Sequence, residues 1–121
     1  VARRLIYDQY TQALQSVNRV SFQSEPKNYY SSRWLTALLI DTEKKPSLTN
    51  DLVSDELRKL NIESRYLWKP MHMQPVFKGA QQIGGAVSEM LFRTGLCLQS
   101  GSGLSEQEIE RICKIVRNEP R

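Results

Sequence analysis

Pro70 and Pro75 bracket the stretch that most limits how this chain can fold. Each proline fixes its own φ, removes a backbone donor and biases the residue before it away from helix. Residues 62–77, Ile-Glu-Ser-Arg-Tyr-Leu-Trp-Lys-Pro-Met-His-Met-Gln-Pro-Val-Phe, therefore read as a short strand entering a stiff, ordered loop. The stretch holds one of two tryptophans, the only histidine and two of five prolines. Trp68 and Phe77 are expected to supply buried aromatic area. Arg65, Lys69 and His72 are then presented from a fixed backbone, and loops on a rigid support commonly carry function. The alternative is a buried loop plug with a solvated cationic rim.

The flanking segments have clearer periods. Ile6, Tyr10, Ala13, Leu14 and Val17 fall near one face of a helix over 1–18. Arg3 and Arg4 at its start oppose the macrodipole and are expected to face water. Residues 19–31 are polar and read as a connection. Over 32–40, Trp34, Thr36, Leu38 and Ile40 alternate with Leu35, Ala37 and Leu39. Both sets are largely apolar, so a central strand covered on both sides is expected, with a short buried helix as the alternative. Residues 41–50 read as an exposed turn. Asn50 is a candidate N-cap for a helix over 51–60 with Val53, Leu57 and Leu60 inward, and Asn61 is a plausible stop.

Beyond the loop, residues 78–82 are polar and Gly84-Gly85 makes a turn. A short helix over 86–93 is expected to bury Val87, Met90 and Leu91, and Gly95 ends it. Leu96 to Leu98 form a short buried strand. Gly101 and Gly103 have too few companions for a phosphate-gripping loop and fit a turn better. Ser105-Glu106-Gln107-Glu108 is a capping box. It opens a helix over 106–117 that buries Ile109, Ile112, Cys113 and Val116, and the tail from Asn118 is expected to fray. The sum is one domain over 1–121: three short strands with helices on one or both sides, a small α/β sandwich.

Composition narrows the function classes. The chain is 40% hydrophobic and 25% charged, a globular balance, and its net charge of +4 favours anionic partners such as phosphorylated small molecules. It is too mild for a nucleic-acid tail. No apolar run reaches membrane-spanning length, and no signal-peptide pattern is present. Cys97 and Cys113 have no metal-binding spacing, and buried thiols in a reducing cytoplasm are expected. The first residue is Val, which suggests a processed, trimmed or partial chain. No self-contained catalytic set is visible: His72 has no nucleophile partner assigned by sequence. Arg65, Lys69 and His72 could instead hold a phosphate or carboxylate, with Tyr66 and Trp68 stacking on a flat ring.

Three motifs carry a resemblance: residues 61–77, the run Phe92-Arg93-Thr94-Gly95-Leu96-Cys97-Leu98-Gln99-Ser100-Gly101 with the following Leu104-Ser105, and Ser32-Arg33-Trp34-Leu35. In this order they resemble the C-terminal part of the DegT/DnrJ/EryC1/StrS sugar aminotransferases, most of all the bacillosamine-type and perosamine-type enzymes. Gln99 departs from the family, which usually has proline there. The resemblance implies the C-terminal small domain of a fold-type I enzyme, with a short, mainly antiparallel sheet. It implies a homodimeric parent in polysaccharide biosynthesis that uses pyridoxal phosphate to move an amino group from glutamate to a nucleotide-linked keto sugar. The Schiff-base lysine lies upstream of the matched region, so neither a catalytic residue nor a bound cofactor is expected on this chain alone. Arg65, Trp68, Lys69 and His72 match the motif nearest the nucleotide-sugar. A free-standing, non-catalytic binding or interaction domain is the alternative.

Overall fold

The computed structural model describes residues 1–44 and 48–117. Its elements are α1 (Ala2–Leu14), β1 (Val20–Phe22), β2 (Thr36–Ile40), α2 (Asn50–Lys59), β3 (Arg65–Tyr66), α3 (Ala86–Thr94), β4 (Gly95–Leu98) and α4 (Glu106–Arg117). Two 3-10 turns, Met71–Met73 and Pro75–Phe77, follow β3. The sheet has four strands in the order β1-β2-β4-β3, and every pair is antiparallel. This is the small antiparallel α/β sandwich expected from the sequence, with one strand more. The added strand, β1, lies in the segment expected to be a plain connection.

The core lies between the sheet and α1, α2 and α4. Leu38 and Ile40 on β2 and Leu96 and Leu98 on β4 meet Ile6, Tyr10 and Leu14 of α1, Val53 and Leu57 of α2, and the four expected residues of α4. β2 is central, but its faces are unequal. Thr36, Leu38 and Ile40 are buried, whereas Ala37 and Leu39 are only half-buried. Helix α3 packs beside β2 and β4 and buries none of its side chains fully. Val87 and Met90, expected inward, are 69% and 46% exposed. Nine residues give too few turns for the apolar pattern to tell the inner face of this helix from its outer one.

The helix ends follow their caps. Helix α1 stops at Leu14, though Val17 beyond it is still buried. The Arg117 guanidinium donates to the Ala13 carbonyl at 3.0 Å, and that of Arg19 donates to the Arg117 carbonyl at 2.7 Å, so cations meet the exposed carbonyls of both helix ends. The N-cap of α2 is Thr49 rather than Asn50: the Thr49 hydroxyl accepts from the Leu52 N–H. Asn50 is buried and donates across to the Gly95 carbonyl, tying α2 to β4. Asn61 takes φ 59°, the left-handed geometry that ends a helix. The expected fraying from Asn118 lies outside the described residues.

At α4 the capping box is formed. The Ser105 N–H donates to Glu108 at 2.8 Å, and the Glu108 N–H donates back to the Ser105 hydroxyl at 3.3 Å. The Ser105 backbone N–H, then its hydroxyl, hold the Glu108 carboxyl below its usual range. A lowered folded-state pKa means the unfolded chain binds the proton more tightly. The stabilisation is complete above the unfolded value and is lost as pH falls through the folded one. Glu108→Gln should therefore flatten the acid limb of unfolding stability below about pH 4. Urea titrations at stepped pH check this, and coincident acid limbs would contradict it.

Candidate functional site

Strand β3 is an edge strand of two residues, and its short pairing with β4 leaves a cleft at the sheet margin. The cleft holds about 340 Å³. Its walls come from four places: Arg3 on α1, Trp34 and Leu35 before β2, residues 63–68 around β3, and Cys97 to Gly101 at the end of β4. Two of the four sequence-predicted residues, Arg65 and Trp68, line it. Lys69 and His72 do not. The polypeptide turns away at Pro70, which is buried, and carries His72 toward α3.

Trp68 and Trp34 are the dominant surfaces at the mouth. Both were expected to be buried, and both are exposed, by 75% and 58%. They stack on each other with ring centroids 6.1 Å apart and planes 29° apart. Phe77, also expected inside, is 38% exposed. The strand begins only at Thr36 because Arg33 takes φ 50°, a left-handed geometry that breaks the extended run before Trp34. Large exposed aromatic faces with free edges favour flat partners and cations.

The cations of the cleft are Arg3 and Arg65. Arg3, expected to face water, donates to the Trp34 carbonyl, and the Ser100 hydroxyl donates to the same oxygen at 3.0 Å. Arg65 pairs with Glu63 through Nε and Nη2 at 3.0 and 2.9 Å. That pair is largely exposed, so its net strength is small and an anionic ligand can compete for the guanidinium. Gln99 donates to the Glu63 carbonyl at 3.0 Å, which ties the end of β4 to the segment leading into β3. Tyr66 donates to Asp51 at 2.7 Å; that bond, then burial, raises its pKa, so it stays a protonated donor.

The cleft offers aromatic faces and guanidinium donors suited to recognition. Cys97 reaches the cleft, but burial pushes its thiol up and keeps it neutral, the opposite of an activated nucleophile. His72 Nε2 lies 2.9 Å from Glu89 Oε1, and Arg93 donates to the other oxygen of Glu89 at 3.2 Å. This contact ties the 3-10 turn to α3. Lys69 is exposed, and its carbonyl accepts from Gln74 at 3.3 Å. Among the described residues no group of three His, Cys, Asp or Glu could hold a metal, and no helix is long and apolar enough to cross a membrane.

Arg3, Trp34, Ser100 and Glu63 are cleft residues that the motif reading did not single out for binding. Trp34, Ser100 and Glu63 each lie inside one of the three resembling motifs, whereas Arg3 lies in none.

Comparison with known proteins gives a consistent result. Residues 1–117 match the model of the DegT/DnrJ/EryC1/StrS aminotransferase family. The chain is similar to EpsN of Bacillus subtilis (strain 168), named as a pyridoxal phosphate-dependent aminotransferase, with 40% identity over 94% of this chain and 29% of EpsN. It is 27% identical to the GDP-perosamine synthase of Vibrio cholerae over 78% of this chain and 25% of that protein. Among solved structures, DesI in the presence of its TDP-sugar product superposes with a TM-score of 0.80 or better, at 0.86, with 19% identity over 96% of this chain and 30% of DesI. The chain thus spans between a quarter and a third of the length of these relatives.

Proposed function

Because this chain belongs to the DegT/DnrJ/EryC1/StrS aminotransferase family, we propose that it forms the small, substrate-side domain of a pyridoxal phosphate-dependent nucleotide-sugar aminotransferase. The parent enzyme, a cytoplasmic homodimer, moves an amino group from glutamate to a keto sugar for polysaccharide biosynthesis. Similarity to EpsN and to a GDP-perosamine synthase supports this reading, and so does the share of each relative that the chain spans. The observation that carries it to a site is the cleft, where two exposed tryptophans and two arginines face one space. A stacked aromatic surface suits a nucleobase or sugar face, and arginines suit a diphosphate.

The cleft is a wall and not a cofactor anchor. A lysine that forms a Schiff base is held in a desolvated site that lowers its pKa. Every described lysine is exposed, and none lines the cleft. Pyridoxal phosphate does not fit these residues, so the cofactor chemistry belongs to the rest of the parent enzyme, and this chain binds and orients. Arg65 and Trp68 act from within the cleft. Lys69 and His72 act from its flank, with His72 also bracing the loop through Glu89.

A second reading has its own support: the chain closes a core and a cleft without help, as a free-standing, non-catalytic binding domain needs. The length of the open reading frame that encodes it separates the two. The cleft itself is tested by titrating the 121-residue chain with a nucleoside diphosphate and following tryptophan fluorescence. Saturable quenching that Arg65→Ala weakens, by an amount that shrinks at high salt, is expected. No saturable change, or equal quenching by an uncharged nucleoside, would contradict the assignment of the arginines.

A further inference from the structure

Arg33 is the least conventional residue in the fold. It is an arginine with 7% exposure and a left-handed φ of 50°. Buried guanidinium groups are costly unless fully paired, and non-glycine residues in this backbone region persist only where their surroundings impose it. Here the surroundings do. Nη1 donates to the Gln23 carbonyl at 2.9 Å, Nη2 pairs with Glu25 at 3.2 Å, and the guanidinium lies 3.8 Å from the centre of the Tyr7 ring. The Nε is buried without a partner. Glu25 does further work: it accepts from the Ser31 N–H at 2.8 Å and pairs with Arg4 on α1 at 3.0 Å. The strap from 23 to 33 is thus clamped onto the first helix.

The next residue is Trp34. Its side chain is exposed, yet its carbonyl is held by Arg3 and Ser100. A backbone fixed on both sides of an exposed aromatic ring has no packing purpose for that ring. We infer that Arg33 and Glu25 are positioning residues: they fix the left-handed kink that turns Trp34 out of the sheet and onto Trp68, so that the indole pair is set before any ligand arrives. The functional consequence rests on reading the cleft as a ligand wall. The positioning itself does not, because it is measured without ligand.

The chain has only two tryptophans, so any tryptophan–tryptophan exciton couplet in its circular dichroism comes from this pair. The intact 121-residue chain should give a couplet that Trp34→Phe and Trp68→Phe each abolish. Arg33→Lys keeps the charge but loses the planar fork, and should reduce the couplet by roughly twofold or more while unfolding stays cooperative. Arg19→Lys, at a half-buried clamp on the end of α4 and outside the cleft lining, should leave it unchanged. If Arg33→Lys does not fold, Glu25→Gln decides the matter by the same reduction. A folded Arg33→Lys or Glu25→Gln chain with the full couplet overturns the inference, and so does an intact chain with none. A nucleotide titration that fails while the couplet responds as expected would sink the ligand-wall reading alone.

Discussion

Leu38→Ala is expected to destabilise the domain by about 2–5 kcal/mol. Leu38 is 1% exposed at the middle of β2. It stands opposite Phe22 on β1 and Leu96 on β4, so its side chain sits where two strand pairs and the helical layer meet. Deleting its branched end forfeits transfer free energy and leaves a cavity that paired strands on both sides cannot close. Against a typical total of about 5–15 kcal/mol for a domain, such a loss is large. Urea titration measures it, and a cost below roughly 0.5 kcal/mol would show that β2 is not the centre of the core.

Gly95→Ala should be the most damaging of the glycine substitutions for which space, not φ, is the constraint. Gly95 joins α3 directly to β4, and a Cβ there would lie 2.2 Å from Leu67 Cδ1 and 2.5 Å from the Leu91 carbonyl oxygen. The leucine tip can rotate. The carbonyl cannot, because it accepts the Gly95 N–H that closes the helix. Overpacking of this kind costs about 1–3 kcal/mol. The displacement of Leu67 should also reach its neighbour Trp68, so the fluorescence of the folded state should change along with the unfolding midpoint. Gly103→Ala is the matched control, since a Cβ there meets nothing within 4 Å. Equal stability of the two variants would contradict the packing described for this junction.

What the sequence disclosed depends on length and redundancy of signal. Helix α4 was legible in full, because twelve residues repeat a 3.6 period behind a capping box. β4 was legible because an apolar run sits between the glycine that ends α3 and a glycine-containing loop. β1 was not: an exposed serine between two half-buried apolar residues at a sheet edge carries too little pattern to stand out from a polar connection. Trp34 misled for a specific reason. Hydropathy assigns it to the alternating face of β2, but the kink at Arg33 depends on Gln23, Glu25 and Tyr7, which are distant in sequence. The same limit applies to the cleft. The motif supplied Arg65 and Trp68, and their closeness in sequence to Lys69 and His72 suggested one cluster. The turn at Pro70 carries His72 away to Glu89 on α3, while Lys69, just before the turn, is exposed and outside the cleft lining. Arg3 could not be found from its own surroundings, since its partner is a carbonyl 31 positions away. The departure at Gln99 does have a local account: a side-chain amide bridges to Glu63 where proline could not.

We propose that the cleft of Arg3, Trp34, Arg65 and Trp68 holds the nucleotide end of a nucleotide-sugar in the proposed parent enzyme. Single-turnover kinetics of both half-reactions, in the proposed parent enzyme, test this most directly. Arg65→Ala and Trp68→Ala should each weaken the apparent affinity for the nucleotide-sugar by about tenfold or more, the equivalent of one good contact. The amino-donor half-reaction should keep its rate, because a small donor reaches the cofactor without touching this wall. Two variants that leave the nucleotide-sugar half-reaction unchanged, or that depress both half-reactions equally, would contradict the claim.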